Sequence, residues 1–311
     1  MEQNLIYNTD CLTGLKKLPD ECIDCCVTSP PYFHMRDYGI DGQVGLEDTP
    51  ELYTARLVEI FREVRRVLKK EGTLWLNLGD CYNGSGKAGK NSEYKKTHTC
   101  FGTTSNPETL GIPTKVSGLK NKDLIGIPWM AAFALRSDGW YLRSDIIWQK
   151  VNPTPESIKD RCTKSHEHIF LLSKSPKYFY DYKAISEKSL WAEKDKRFIN
   201  GPTQSERMVG SQYQCKRSGV FSADGLRNKR DVWSVKTACF KGAHFATFPP
   251  ALITDCIKAG CPTGGVVLDP FMGAGTTAVV AQNLGRNYIG FELNPAYVEL
   301  ANKRIQKESE V

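Results

Sequence analysis

Thr28-Ser29-Pro30-Pro31-Tyr32 brings a hydroxyl, two prolines and an aromatic ring together in one short corner. The Ser29 oxygen and the Pro30 carbonyl are suited to accept the two protons of a single amino group. The prolines hold both acceptors in one direction, and the Tyr32 ring offers a face for a planar base. An ordinary proline turn is the plain structural alternative. A second run, Leu268-Asp269-Pro270-Phe271-Met272-Gly273-Ala274-Gly275-Thr276-Thr277, sets an acid at the end of an apolar stretch, followed by two glycines and two threonines. Glycine permits a tight turn and close approach to a ligand, and the helix start beyond it exposes N–H groups. Such a turn cradles a small nucleotide-like cofactor. Its spacing departs from G-x-G-x-x-G at Ala278, so the glycines alone do not choose the cofactor.

Tyr288-Ile289-Gly290-Phe291-Glu292-Leu293-Asn294 supplies another acid at the end of an apolar run. A carboxylate there is placed to accept ribose hydroxyls; the rival reading makes Glu292 a cap for the helix starting at Pro295. His166-Glu167-His168 lacks the i, i+4 histidine spacing of a zinc protease helix and reads as structural. Cys22, Cys25 and Cys26 find no second pair at zinc spacing among the 11 cysteines. They read as core packing in a reducing compartment, with no metal expected.

Hydrophobic periodicity supplies the elements that position these groups. An apolar strand over 22–28 must stop at the prolines. Residues 50–68 read as an amphipathic helix with Leu52, Leu57, Ile60, Phe61, Val64 and Leu68 inside, Thr49 as cap and Pro50 in the first turn. A strand follows at 73–78. Further on come a helix near 127–138 and strands near 142–149 and 167–173. The tail 251–306 alternates helix and strand, with strands at 265–269 and 287–291. Alternation of this kind predicts an α/β fold with a doubly wound, mostly parallel sheet. In such a sheet, ligands bind at the carboxyl ends of the strands, so the strand ending at Ser29 can lie beside the one ending at Asp269.

Two stretches break the pattern. Residues 83–122 are polar, with more lysines than acids, and read as a long mobile loop or clamp; a merely solvated loop is the alternative. Residues 184–243 lose periodicity while Lys216, Arg217, Arg227, Lys229 and Arg230 cluster among aromatic residues. The formal net charge of +7 permits a polyanionic partner without requiring one. The N-terminal residues lack a basic region followed by an apolar stretch, and no long apolar run exists, so a cytoplasmic protein with no membrane partner is expected.

Asp269-Pro270-Phe271-x-Gly273-x-Gly275-Thr276, taken with Ser29-Pro30-Pro31-Tyr32, resembles the S-adenosylmethionine-dependent DNA amino-methyltransferases. The catalytic motif precedes the cofactor motif, which resembles the permuted branch containing many cytosine-N4 enzymes. The resemblance implies a Rossmann-like methyltransferase fold with a catalytic half at 1–183 and a target-recognition region at 184–243. The cofactor-binding half is then 244–311. It implies S-adenosylmethionine as cofactor, with Glu292 on the ribose and Asp269, Pro270, Phe271, Gly273, Gly275, Thr276 and Asn294 around the rest. Thr247 and Pro249, in the segment before the loop, and Asp10, near the amino group, complete the implied cofactor set. Ser29 in first position favours cytosine N4 over adenine N6, since the adenine enzymes usually carry Asp or Asn there. The implied partners are duplex DNA, with a flipped base, and a restriction endonuclease acting on the same site.

Carbon-5 cytosine chemistry is excluded, because its cysteine follows a proline and this chain has only the reversed Cys261-Pro262. A nicotinamide-dependent dehydrogenase lacks a hydride-transfer site in this sequence. A binding-only module is opposed by the intact Ser29-Pro30-Pro31-Tyr32 corner. If Arg227, Lys229 and Arg230 hold DNA, replacing all three with alanine weakens DNA binding more than cofactor binding; titration of each ligand measures the two losses.

Overall fold

Apolar runs closed by prolines, glycines and caps generate the sheet and the helices that cover it. The computed structural model describes residues 1–84, 118–188, 225–237 and 248–309. In chain order the elements begin with β1 (Leu5–Asn8), α1 (Cys11–Lys16), β2 (Ile23–Thr28), α2 (Pro50–Val67) and β3 (Leu68–Leu78). There follow α3 (Ile127–Ser137), β4 (Tyr141–Lys150), β5 (His166–Ser173), β6 (Glu187–Lys188), β7 (Leu226–Arg227) and β8 (Val232–Val235). The tail supplies α4 (Pro250–Gly260), β9 (Val266–Asp269), α5 (Thr276–Asn283), β10 (Asn287–Glu292) and α6 (Pro295–Ser309).

The main sheet runs β1-β10-β9-β2-β3-β5-β4-β8. β5 pairs antiparallel with both β3 and β4, and the other neighbours pair parallel. Side chains alternate across this sheet, as a pleated strand requires. Leu74, Leu76 and Leu78 of β3 join Phe170 and Leu172 of β5 in the core beneath α1, α2 and α3. The intervening Thr73 and Trp75 face the other way, toward Gly260 at the end of α4. Helices thus cover both faces, as double winding demands.

Local chemistry explains most boundaries. Thr49 Oγ1 accepts the Leu52 N–H at 3.2 Å, and Pro50 occupies the first turn of α2. Its inner stripe is Tyr53, Leu57, Ile60, Phe61, Val64 and Val67. Leu52, expected inside, is exposed and Tyr53 takes its place, with its hydroxyl on the Pro31 carbonyl at 2.9 Å. β3 also begins earlier than its apolar run suggests: Leu68 is already extended, directly after the helix.

The chain packs as two units, one comprising Met1–Tyr180 with Asp231–Val311 and the other Asp181–Arg230. β8 therefore belongs to the main sheet, although it falls inside the 184–243 span read as an insertion. Within the smaller unit, β6 and β7 form an antiparallel pair, and Arg227 and Arg230 both donate to Glu187 Oε1, at 2.9 and 2.7 Å. Lys216, Arg217, Thr247 and nearly all of the 83–122 loop lie outside the described residues. No helix among the described residues is long and apolar enough to cross a membrane.

Gly260 lies in close contact with the sheet at the end of α4. A Cβ built there falls 2.3 Å from Trp75 Nε1 and 2.7 Å from Thr73 Oγ1. Gly260→Ala is expected to lower stability by about 1–3 kcal/mol through overpacking, read as a reduced urea midpoint with an unchanged slope.

Candidate active site

Three parallel strands, β2, β9 and β10, stand side by side and finish at one edge of the sheet. Their ends are Thr28 before the Ser29 corner, Asp269 before the glycine turn, and Glu292. A direct bond joins the first two: Thr28 Oγ1 donates to Asp269 Oδ1 at 2.6 Å across 241 sequence positions. Thr277 Oγ1 donates to Asp269 Oδ2 at 2.6 Å, and the Phe271 N–H reaches Oδ1 at 3.0 Å. Asp269 is buried, and burial pushes its carboxyl up to about 6 despite these three donors.

The turn beyond Asp269 places Gly273 and Gly275 in the left-handed region, with φ of 53° and 77°. Gly275 starts α5. The Gly273 N–H donates to Glu292 Oε2 at 2.8 Å, and the Asn294 N–H to Glu292 Oε1 at 2.8 Å. The helix after β10 is capped instead by Asn294, whose Oδ1 accepts the Ala296 N–H at 2.9 Å. Glu292 is therefore not the cap. Each of its oxygens accepts a single bond among the described residues and keeps a lone-pair direction for a ribose hydroxyl. That spare capacity beside a glycine turn fits S-adenosylmethionine. Burial raises the Glu292 carboxyl above its usual range, and the backbone donors, Asn294 and Gly273 foremost and Leu293 after them, oppose the shift.

The remaining cofactor candidates divide. Asp10 caps α1 through the Thr13 N–H at 3.0 Å, just past β1, whose Asn8 is paired with Glu292. Thr276 is buried and its hydroxyl accepts Arg304 Nη1 at 2.9 Å. Pro249 immediately precedes α4, and Phe271 is partly buried against the core. Tyr38, on the loop following the Ser29 corner, stands edge-on to Tyr297 of α6 with ring centroids 6.4 Å apart. That contact carries the catalytic loop over to the Glu292 side.

In the corner itself, the Pro31 carbonyl is occupied by Tyr53, while no donor among the described residues bonds the Pro30 carbonyl. Tyr32 Oη donates to Glu167 Oε2 at 2.6 Å and lies 3.4 Å from Ser29 Oγ. Asn77 Nδ2 reaches the same Glu167 oxygen at 3.2 Å, and Lys150 Nζ reaches Oε1 at 2.5 Å. Burial, then the Glu167 charge, drives the Tyr32 phenol well above its ordinary range. Glu167, read from the sequence as structural along with His166 and His168, thus lies within hydrogen-bond reach of the Ser29 corner. His168 does turn to structure, stacking on Phe170 and bonding Asp145 at 2.9 Å. Glu167, one residue earlier in the strand, faces the opposite side. The available signal was an acid beginning an otherwise buried strand.

A doubly wound sheet with one antiparallel strand, an acid-glycine turn and a second strand-end acid fits the class of S-adenosylmethionine-dependent methyltransferases. The DNA methylase family (N6_N4_Mtase) matches residues 23–303, and the chain belongs to it. Type II methyltransferase M.Cfr9I of Citrobacter freundii is 47% identical over 97% of this chain and 88% of its own length. Type II methyltransferase M.SmaI of Serratia marcescens is 44% identical over 98% and 93%. Among solved structures, PvuII DNA methyltransferase (cytosine-N4-specific) superposes with a TM-score of 0.63 at 17% identity, covering 98% of this chain and 89% of that one. A DNA modification methylase from Thermus thermophilus, TTHA0409, in complex with S-adenosyl-L-methionine, gives 0.60 at 21% identity, with 98% and 93% covered. The protein is a DNA methyltransferase.

The raised Asp269 carboxyl makes stability fall with rising pH. Between its unfolded value of 3.8 and about 6 the folded state holds the extra proton. Full ionisation of this one group then costs about 3 kcal/mol. Urea unfolding from pH 4 to 7 is expected to show this contribution declining, and Asp269→Asn to remove it.

Proposed function

We propose that the protein transfers a methyl group from S-adenosylmethionine to the exocyclic N4 amino group of a cytosine flipped from duplex DNA. The observation that supports this most is the Ser29 corner standing beside the Asp269 turn at adjacent strand ends. The bound cofactor supplies an electrophilic methyl group on a sulfonium. The protein must make a weakly nucleophilic amine attack it, because the amine lone pair is delocalised into the base. Ser29 Oγ and the Pro30 carbonyl each accept one amine proton, which favours a pyramidal nitrogen and directs its lone pair away from the ring. Fixed acceptors of this kind need no reorganisation as the reaction proceeds. Tyr32, anchored through its hydroxyl, forms the stacking wall of the base pocket. Stacking returns about 1–3 kcal/mol against the few kcal/mol of extruding a base. On the cofactor side, Glu292 holds the ribose. Asp269, Pro270, Phe271, Gly273, Gly275, Thr276 and Asn294 shape the pocket, with Asp10 and Pro249 at its rim.

Serine in first position and the cytosine-N4 specificity stated for the PvuII enzyme support N4 over adenine N6. The type II relatives support a modification enzyme that protects a site cut by a cognate endonuclease. Target recognition is assigned to the 184–243 region. Arg227 and Arg230 already share Glu187 within their own unit, so DNA phosphates compete with that carboxylate for them.

Incubation with duplex DNA and labelled cofactor, followed by nucleoside analysis, is expected to yield N4-methylcytosine; N6-methyladenine in its place overturns the base assignment. Ser29→Ala is expected to slow transfer by about 10²–10³-fold with cofactor affinity retained. Glu292→Ala weakens cofactor binding in a direct titration.

A further inference from the structure

Ser29 can hold an amine proton only if its own hydroxyl proton points elsewhere, and the neighbouring side chains decide where. Glu167 is buried, and its carboxylate meets three donors: Tyr32 and Asn77 at Oε2, and Lys150 at Oε1. An ionised carboxylate accepts and never donates. Tyr32 Oη faces two acceptors, Glu167 Oε2 at 2.6 Å and Asn77 Oδ1 at 3.3 Å, and the shorter, charge-assisted bond to Glu167 takes its proton. With that proton committed, Tyr32 Oη offers its lone pairs to Ser29 Oγ at 3.4 Å. The serine proton turns toward Tyr32, and the serine lone pairs turn toward the cleft. Asn77 keeps the same sense, because its amide donates to Glu167 and to the His168 carbonyl at 3.1 Å.

We propose that Glu167, charge-paired with Lys150, is a positioning residue: through Tyr32 it sets the hydrogen-bond polarity that makes Ser29 an acceptor for the substrate amine. This rests on the amino-methyltransferase reading and adds to it a residue that never touches the substrate. Glu167→Gln is nearly isosteric, yet its amide can donate to Tyr32 Oη and reverse the chain. Reversal presents the serine proton, not its lone pair, to the amine.

The experiment is single-turnover methyl transfer to DNA by the wild type, Glu167→Gln, Ser29→Ala and the double variant, with DNA and cofactor affinities measured for each. Methyl transfer by the wild type tests the underlying reading by itself, whatever the variants do. Glu167→Gln is expected to slow transfer by about 10–100-fold, the scale of one charge-assisted hydrogen bond, with both affinities within about threefold. In the Ser29→Ala background the same change should cost nothing further, because the serine it orients has gone. If the two losses multiply, or if Glu167→Gln transfers at the wild-type rate, the proposal is overturned. A variant that loses affinity and thermal stability in parallel with rate marks Glu167 as packing only and equally overturns it.

Discussion

Asp269 is the knot of the molecule. Its buried carboxylate takes hydrogen bonds from Thr28 at the end of β2, from Thr277 in α5 and from the Phe271 amide in the turn between them. Those bonds join the strand that delivers the Ser29 corner to the glycine turn proposed to hold the cofactor. Two strand ends could drift by an ångström while keeping their ladder. A shared carboxylate with short bonds on both oxygens removes that freedom. Burying a charge is costly, and the raised carboxyl measures how incompletely three donors offset the loss of water. The structure keeps the acid there because alignment of donor and acceptor groups is what methyl transfer requires.

A second carboxylate does comparable work one layer out. Glu167 gathers Tyr32, Asn77 and Lys150, which come from the corner, β3 and β4. Tyr32 is thereby held at its hydroxyl end, while its ring edge lies against Gly79 so closely that a Cβ there would fall 2.6 Å from Cε2. Tyr53 meanwhile secures the Pro31 carbonyl from α2. The corner is rigid because three separate elements grip it, with the prolines only the local part of that rigidity.

Much of this was legible from residue order. The α2 cap, the stop of β2 at the prolines and the βα alternation of the tail follow from backbone chemistry and periodicity, and the structure has each of them. Tyr53 replaced Leu52 inside α2 because periodicity leaves the facing angle uncertain by a residue when both neighbours are large and apolar. β8 escaped notice since a four-residue strand carries too little alternation to stand out in an irregular stretch. The contact between Glu167 and Tyr32 was not legible beside two histidines, as pairing decides which face of β5 meets the corner.

Residue types and spacing alone determined the two chemical motifs, the doubly wound class and the glycine turn after a strand-end acid, because these depend on backbone restrictions and on contacts within a few residues. Strand order belonged to the tertiary structure. The pairing of β9 with β2 agrees with the expectation from fold logic, but only the folded sheet could run β5 against its neighbours and return β8 to the main sheet. The partners of Tyr32 and Asp269 were settled there too, since each is joined to a residue far along the chain. Distance in sequence carries no information about such bonds until folding has made them short.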